Sequence, residues 1–394
     1  MKNEQNIPLI YPGKIPREDI ISSDSSEFKI SLQYGTTELD KWANRIFWGD
    51  NLVALRQLVN NPALRNVIDE AGGVKLVYTD PPFGTGDNYY SRGQLAYSAK
   101  LQGSEYIEFV RKRLILLHEL LEGDGSLFLR IDYHFGHYIK VILDEVFGQR
   151  NFRNEIVINR RRKSAQETKR YNVANDILFF YSKTDDFYLD KKMRKRLCTF
   201  CSQEKEPEWH AMISSGVRNP PERTIFGERR LPPNKMHWTY RQEKIDILES
   251  EGRLRINEKA TYVNLEGERV KGMPEYLQAE NVPVDSLWID LKGYTHRWKY
   301  PSENSEELLE RVIASSSREN DLTLDAFAGS GTTGVVSEKL GRKWIMMDSS
   351  ELAIQTMLKR LFNLKKGIGN RGRKISPNPF ILQELQLPLK EKQQ

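Results

Sequence analysis

Apolar and polar positions along this chain follow two rhythms, and together they outline a core of alternating strands and helices. Apolar runs at 45–49, 74–79, 125–131, 155–159, 176–182, 322–328 and 343–347 predict strands. A short apolar run bounded by polar or turn residues suits a strand buried on both faces. In other segments the apolar residues recur at intervals of three and four, as a helix with one buried stripe requires. Residues 51–59 form one such segment. Residues 104–121 form another, with Ile107, Val110, Leu114, Leu117 and Leu121 on the stripe, Ser104 able to cap its start and Gly123 to end it. Residues 137–147 repeat the spacing through Ile139, Ile142, Leu143 and Val146, and 303–317 through Leu308, Leu309, Val312 and Ile313. Strands alternating with helices predict an α/β fold.

Both rhythms fail in three places. Residues 1–40 are polar, carry Pro8, Pro12 and Pro16 and a serine cluster at 22–26, and read as an extended arm. From 183 to 289, Trp209, Trp238, Tyr240, Tyr262, Tyr276 and Trp288 are scattered among charged residues, with Pro220-Pro221 and Pro232-Pro233 as breakers. This stretch reads as a distinct module separating a first half, 41–182, from a second, 290–366. Residues 367–394, with Arg371, Arg373 and Lys374, read as a mobile basic tail.

Candidate chemistry sits at two strand ends. The strand at 74–79 runs into Asp80-Pro81-Pro82-Phe83-Gly84-Thr85-Gly86. Proline fixes φ and glycine tolerates positive φ, so taken alone these residues are equally good turn chemistry. The strand at 322–328 feeds Gly329-Ser330-Gly331-Thr332-Thr333-Gly334, a G-x-G-x-x-G loop followed by a helix-like stretch to Leu340. The next strand closes on Asp348, nineteen residues after Gly329. Small residues let the backbone approach a cofactor, and an acid at the end of the next strand can accept from ribose hydroxyls. By pattern alone this could serve a nicotinamide dinucleotide. Only sixty residues follow Gly334, however, so the rest of the sheet is expected from upstream, which implies a permuted order.

With the Asp-Pro-Pro-Phe loop before the glycine loop, the chain resembles the beta-class DNA amino-methyltransferases, in particular the adenine-N6, type III-like modification methylases. The resemblance covers about 45–360. It extends to Phe47-Trp48-Gly49-Asp50-Asn51, to the strand ending Tyr181-Ser182-Lys183, and to residues 236–256 and 282–290. Ala326 replaces a usual proline, and Tyr300-Pro301-Ser302-Glu303-Asn304-Ser305 stands where the family has Pro-Thr-Gln-Lys-Pro, which removes the usual lysine. The resemblance implies a Rossmann-like, circularly permuted S-adenosylmethionine-dependent methyltransferase fold with 183–289 as an inserted target-recognition module. It also implies transfer of a methyl group to adenine N6 of a base flipped out of duplex DNA. The catalytic loop would be Asp80, Pro81, Pro82 and Phe83. The Asp80 carboxylate and Pro81 carbonyl would accept the amine hydrogens while Phe83 stacks on the base, with Tyr89 and Tyr90 as further pocket candidates. Asp325, Phe327, Gly329, Gly331 and Thr332 would line the methionine side of the cofactor, Asp348 its ribose and Asp50 its adenine amine. Aspartate at the head of the tetrad favours adenine N6. Cytosine N4 is the alternative, followed by a catalytically silent DNA-binding relative and a nicotinamide-dependent oxidoreductase.

Charge adds a candidate nucleic-acid contact. The net charge is +6, and between Arg153 and Arg196 there are thirteen Lys or Arg against six Asp or Glu, so the remainder is close to neutral. Arg160, Arg161, Arg162, Lys163, Lys169 and Arg170 are the candidates for phosphate contacts, which give affinity without sequence information. A solvated loop is the plainer reading of the same residues. Partners implied are double-stranded DNA, with room for a homodimer and a cognate restriction endonuclease. No stretch reaches eighteen apolar residues and no secretory segment opens the chain, so a cytoplasmic protein without membrane contact is expected. Cys198 and Cys201 form a single Cys-x-x-Cys. A structural zinc ion needs about four ligands, and only His210 and His237 lie near in sequence, so two thiols in a reducing compartment and no metal are expected.

Overall fold

The computed structural model describes residues 7–22, 27–36, 42–91, 93–160, 169, 171–198 and 203–386. They divide into two compact units, 1–192 with 285–394, and 193–284.

The larger unit is built on ten strands: β1 (Phe28–Tyr34), β2 (Asn44–Trp48), β3 (Val74–Thr79), β4 (Leu121–Ile131), β5 (Phe152–Asn159), β6 (Asn175–Ser182), β7 (Leu287–Trp288), β8 (Leu322–Asp325), β9 (Lys343–Asp348) and β10 (Phe380–Leu385). Their order across the sheet is β1-β10-β2-β9-β8-β3-β4-β6-β5-β7. The segment from β10 to β4 is parallel throughout. β6 is antiparallel to both β4 and β5, and β1 to β10. Helices α1 (Arg17–Ile21), α2 (Asn51–Asn60), α3 (Pro62–Glu70), α4 (Gly103–Leu120), α5 (Gly136–Phe147), α6 (Glu306–Ser316), α7 (Thr332–Lys339) and α8 (Glu351–Phe362) accompany it.

Side chains on a strand alternate between faces, and here the alternation feeds two cores. Phe47, Ile345 and Met347 join Leu55, Leu114 and Ile139 of α2, α4 and α5. Ile46, Trp344 and Met346 join Val335, Ile354 and Met357 of α7 and α8. Both faces of the parallel strands are therefore covered, which is the doubly wound α/β arrangement of a Rossmann-like methyltransferase. The permutation is visible in the order: β8 and β9 insert between β2 and β3, although about 250 residues separate β3 from β8 in the chain.

Two expectations are corrected. Residues 1–40 are not simply an extended arm, because they contribute α1 and the edge strand β1. Nor is 367–394 simply a mobile tail. Residues 380–385 form β10, the sheet strand between β1 and β2, with Phe380 and Ile381 fully buried. The run Phe380-Ile381-Leu382 is apolar enough for a strand but lies behind Pro377 and Pro379 and a basic stretch, which obscured it. The helix expected at 303–317 begins at Glu306, because Ser305 caps it by accepting from the Leu308 amide at 3.2 Å.

The smaller unit has its own core, in which Met212, Ile225, Trp238, Ile245, Leu248 and Tyr262 pack together. Its main sheet has three strands, Trp209–Ala211, Arg269–Leu277 and Leu254–Val263 in that order. Trp238 is thus a core residue, its Nε1 donating to the Arg230 carbonyl. The Cys-x-x-Cys falls partly outside the described residues, which include Cys198 but not Cys201. Among the described residues no helix is long and apolar enough to cross a membrane.

Phe380 stacks on Tyr34 at 5.3 Å and is fully buried, so Phe380→Ala is expected to cost about 3–5 kcal/mol. Urea denaturation of the full chain measures this. Residues that formed only a tail would give no change.

Candidate active site

The carboxyl ends of β2, β9, β8 and β3 lie side by side. Trp48 pairs with Asp348, Asp325 with Met346, and Leu324 with Val77. Connections leave β8 toward β9 and β3 toward β4, in opposite directions across the sheet, and a crevice opens where they part. It holds a cavity of about 770 Å³ whose walls include Asp50, Asp80 to Phe83, Ala326 to Ser330, and Asp348.

β3 stops where Pro81 and Pro82 remove two amide donors, and a residue before proline is held extended. This leaves Asp80 at the cavity wall. Its Oδ2 accepts from Asn304 Nδ2 at 2.9 Å. Burial pushes the Asp80 carboxyl up to about 6, against the nearby Arg130 guanidinium and the Asn304 hydrogen bond, both of which favour ionisation. Phe83 lines the same cavity.

The glycine loop after β8 turns through left-handed backbone. Gly329 has φ +50° and lines the cavity opposite Tyr300, whose ring would lie 3.1 Å from an added Cβ. Gly331, at φ +76°, has Met357 of α8 2.7 Å from the same position. Phe327 faces the cavity. Asp325, Gly331 and Thr332 are not among the residues lining it; they build the loop from behind. Asp325 accepts from the Phe327 amide at 3.0 Å and from Thr333 Oγ1 at 2.5 Å, and burial pushes its carboxyl up to about 7. Thr332 Oγ1 donates to the Asn304 carbonyl at 3.2 Å and accepts from the buried Arg360 at 2.7 Å. Arg360 also reaches Ser330 and Glu306, fastening the loop to α8 and α6.

Asp348 accepts the Gly329 and Ser350 amides, each at 2.9 Å, one on each oxygen. The Ser349 amide also bonds to this carboxylate, so of its four acceptor lone pairs one remains for a further donor. Burial pushes this carboxyl up to about 6. Asp50 caps α2 through the Leu52 amide, and the same Oδ1 accepts Arg113 Nη2 at 2.8 Å. Arg113 lies 3.6 Å from the Phe109 ring centroid, and Phe109 packs on Phe327, so an aromatic corner stands beside Asp50. Burial pushes the Arg113 guanidinium down to about 10.

A hairpin, Asn88–Ser91 with Gln94–Ser98, closes one side. Tyr97 Oη meets Ser302 Oγ at 2.7 Å, and Ser91 Oγ donates to the Lys299 carbonyl. Of the tyrosines expected at the pocket, Tyr89 stacks behind Tyr97 at 4.6 Å and Tyr90 is exposed; neither lines the cavity.

Arg160 is part-exposed, with one of its guanidinium donors turned inward. It donates to the buried Asp176 at 3.3 Å. Lys169 is exposed, and Arg161, Arg162, Lys163 and Arg170 lie outside the described residues.

Sequence reasoning missed Arg113, Arg130, Tyr106 and Asn304. Arg130 carried a legible signal, being a charge inside the apolar run 127–131 that the fold buries, whereas Arg113 was masked as the last residue of the basic triplet Arg111-Lys112-Arg113. Tyr106 was hidden because it belongs to the apolar stripe of α4. Its buried hydroxyl borders the cavity with no hydrogen-bond partner among the described residues.

A family model for DNA methylases matches residues 74–359. The type II methyltransferase M.EcaI of Enterobacter cloacae is 30% identical over 377 residues, covering 90% of this chain and 77% of its own. The StyLTI type III restriction-modification Mod subunit of Salmonella typhimurium is 23% identical over 354 residues, covering 77% of this chain and 51% of its own. Among solved structures, an M1.HpyAVI–SAM complex matches with a TM-score of 0.42 and 16% identity, over 80% of this chain and 98% of that one.

Asp325 gives the pH dependence of stability a definite sign. With its carboxyl raised from 3.8 to about 7 on folding, the folded state holds a proton that the unfolded state releases between those values, so stability falls as pH rises through that window. Asp80 and Asp348 act in the same direction. Asp325→Asn is expected to flatten the decline, read from urea midpoints between about pH 4 and 8. An unchanged slope would mean Asp325 is ionised throughout.

Proposed function

The chain belongs to the DNA methylase family matched over 74–359, and from that membership we propose that it methylates adenine N6 at a specific sequence in duplex DNA, within a restriction-modification system. Relatives named as a type II methyltransferase and a type III Mod subunit support that setting. A cognate endonuclease is the partner such a system implies, and the cytoplasm is where it works. One observation carries the chemistry: the Asp80 carboxylate and the glycine loop, from strands remote in sequence, open onto one cavity.

S-adenosylmethionine is the methyl donor. The residues present fit it. Asp348 keeps an acceptor position for a ribose hydroxyl, Asp50 Oδ2 is left for the adenine amine, and Phe327 and Phe109 offer an apolar wall. Phe327, Gly329 and Ser330 line the cavity and would hold the methionine portion.

Adenine N6 is a weak nucleophile because its lone pair is delocalised into the ring. Asp80 Oδ1 and the Pro81 carbonyl each accept one N–H, drawing the nitrogen out of conjugation and stabilising the positive charge that develops on it. Phe83 stacks on the flipped base. The nitrogen would attack the methyl carbon in line, the C–N bond forming as the C–S bond breaks and S-adenosylhomocysteine leaves with the electron pair, while the surplus proton passes to Asp80. Reach into a duplex needs phosphate contacts, assigned to Arg160, Arg161, Arg162, Lys163, Lys169 and Arg170. Target reading is assigned to the module at 183–289.

Sequencing with modified-base detection on DNA from cells expressing the gene is expected to find N6-methyladenine at one motif. N4-methylcytosine there would overturn the adenine assignment. Asp80→Ala is expected to abolish transfer of labelled methyl while S-adenosylmethionine affinity by calorimetry stays within a few-fold. Asp348→Ala is expected to weaken that affinity about tenfold or more, since charge-assisted hydrogen bonds contribute about 1.5–3 kcal/mol. Its turnover at saturating donor should fall far less. Equal losses of affinity in both variants would dissolve the division of labour between the two carboxylates.

A further inference from the structure

We infer that Asn304 is a positioning residue for the transfer step, its side-chain amide fixing the orientation of Asp80 and relaying to it the charge of the buried Arg130. The inference rests on the assignment of Asp80 to the target amine.

The amide has one arrangement that satisfies its neighbours. Asn304 Oδ1 accepts from Tyr78 Oη at 3.1 Å and from Arg130 Nη1, so Nδ2 faces Asp80 and donates to Oδ2. Two donors on the carbonyl oxygen polarise the amide and strengthen its N–H as a donor. Arg130 is fully buried on β4 and is itself held on three sides. Nη1 also donates to the Gly293 carbonyl at 2.9 Å, Nη2 pairs with Asp176 at 2.7 Å, and the Tyr294 ring lies 3.8 Å away. A cation so fixed cannot turn to Asp80 itself, and the neutral amide carries its influence across. With Oδ2 occupied by Asn304, Asp80 Oδ1 is the oxygen left for the amine. The Asn304 carbonyl also accepts from Thr332 of the glycine loop, which ties the catalytic carboxylate to the donor loop through one residue.

The position lies in the segment that departs from the family pattern, where a lysine is usual. A lysine would bring its own charge to this point; here the charge sits one residue further back, on Arg130. Several other groups act on Asp80. Asp132 beyond β4, Asp176 on β6 and Asp325 at the end of β8 disfavour its ionisation. Tyr78 on β3, Tyr106 on α4, Tyr97 on the hairpin and Tyr294 surround it as neutral phenols. Among these groups Arg130 and Asn304 favour the ionised carboxylate, and a hydrogen bond to the ionised form lowers a pKa.

The test uses the full chain with duplex DNA carrying its target, and reads the acid limb of the kcat–pH profile. Asn304→Asp keeps an acceptor for Arg130 and Tyr78 but cannot donate to Asp80 when ionised, and it adds a like charge. Asn304→Leu removes both functions. Both are expected to move the acid limb upward, the aspartate by about one pH unit or more. kcat at neutral pH should fall about tenfold or more while KM for S-adenosylmethionine changes less than about threefold. A merely structural asparagine would lower the melting temperature and leave the limb in place. If the leucine variant does not fold, the aspartate variant decides alone. An unmoved limb in Asn304→Asp overturns the inference, provided Asp80→Ala is inactive; an active Asp80→Ala would instead overturn the reading on which it rests.

Discussion

Parallel pairing of β8 with β3 is the contact on which the site depends. It joins two strands about 250 residues apart, and the register sets Leu324 beside Val77, so that the loops leaving the two strands must emerge at one edge. The catalytic tetrad and the glycine loop are neighbours for that reason alone. Four-residue β8 is wholly buried, with helices on both faces, and offers little freedom to slip. A one-residue shift would send Leu322 and Leu324 to the wrong core and carry the glycine loop away from Asp80.

Around that contact the site concentrates acidity and keeps its cations outside the cavity wall or pinned within it. Asp80, Asp325 and Asp348 are all held above their ordinary range by burial. Arg113, Arg130 and Arg360 each stand against one part of the site and are each fastened by several acceptors. Such pairs add little to stability, because desolvating both partners offsets their attraction. Their effect lies in geometry: each guanidinium holds one segment, the Asp50 turn, the Asn304 amide or the glycine loop, in a single arrangement.

Much of this was legible in the chain. The strands expected at 74–79, 322–328 and 343–347 and the helices between them followed from periodicity, and the tetrad and glycine loop from their order along the chain and the family resemblance it carries. The parts that stayed hidden have physical causes. Asn304 acts through tertiary contacts that no spacing encodes, in a segment that also departs from the family pattern. Asp325 and Thr332 belong to the loop motif, but their side chains are spent within it, that of Asp325 on the Phe327 amide and Thr333, that of Thr332 on Asn304 and Arg360. Arg160 lies in a basic run yet finds an internal carboxylate, because the end of β5 sits beside β6. The strand at 380–385 looked like a tail because its prolines and basic neighbours outweighed a short apolar run.

The insertion of β8 and β9 between β2 and β3 also bears on how the protein is made. Sheet neighbours on the ribosome are normally completed soon after each other, but β2 and β3 are separated in space by strands translated about 270 residues later. At roughly 5–20 residues per second, that gap is on the order of tens of seconds. Until β8 and β9 are made, the residues of β2 and β3 lack the strands they pair with in the folded sheet. A nascent chain in that state is a template for pairing with another copy. The same permutation that brings the two loops together at one crevice therefore makes the late-emerging half the element that closes the molecule's most adhesive edges.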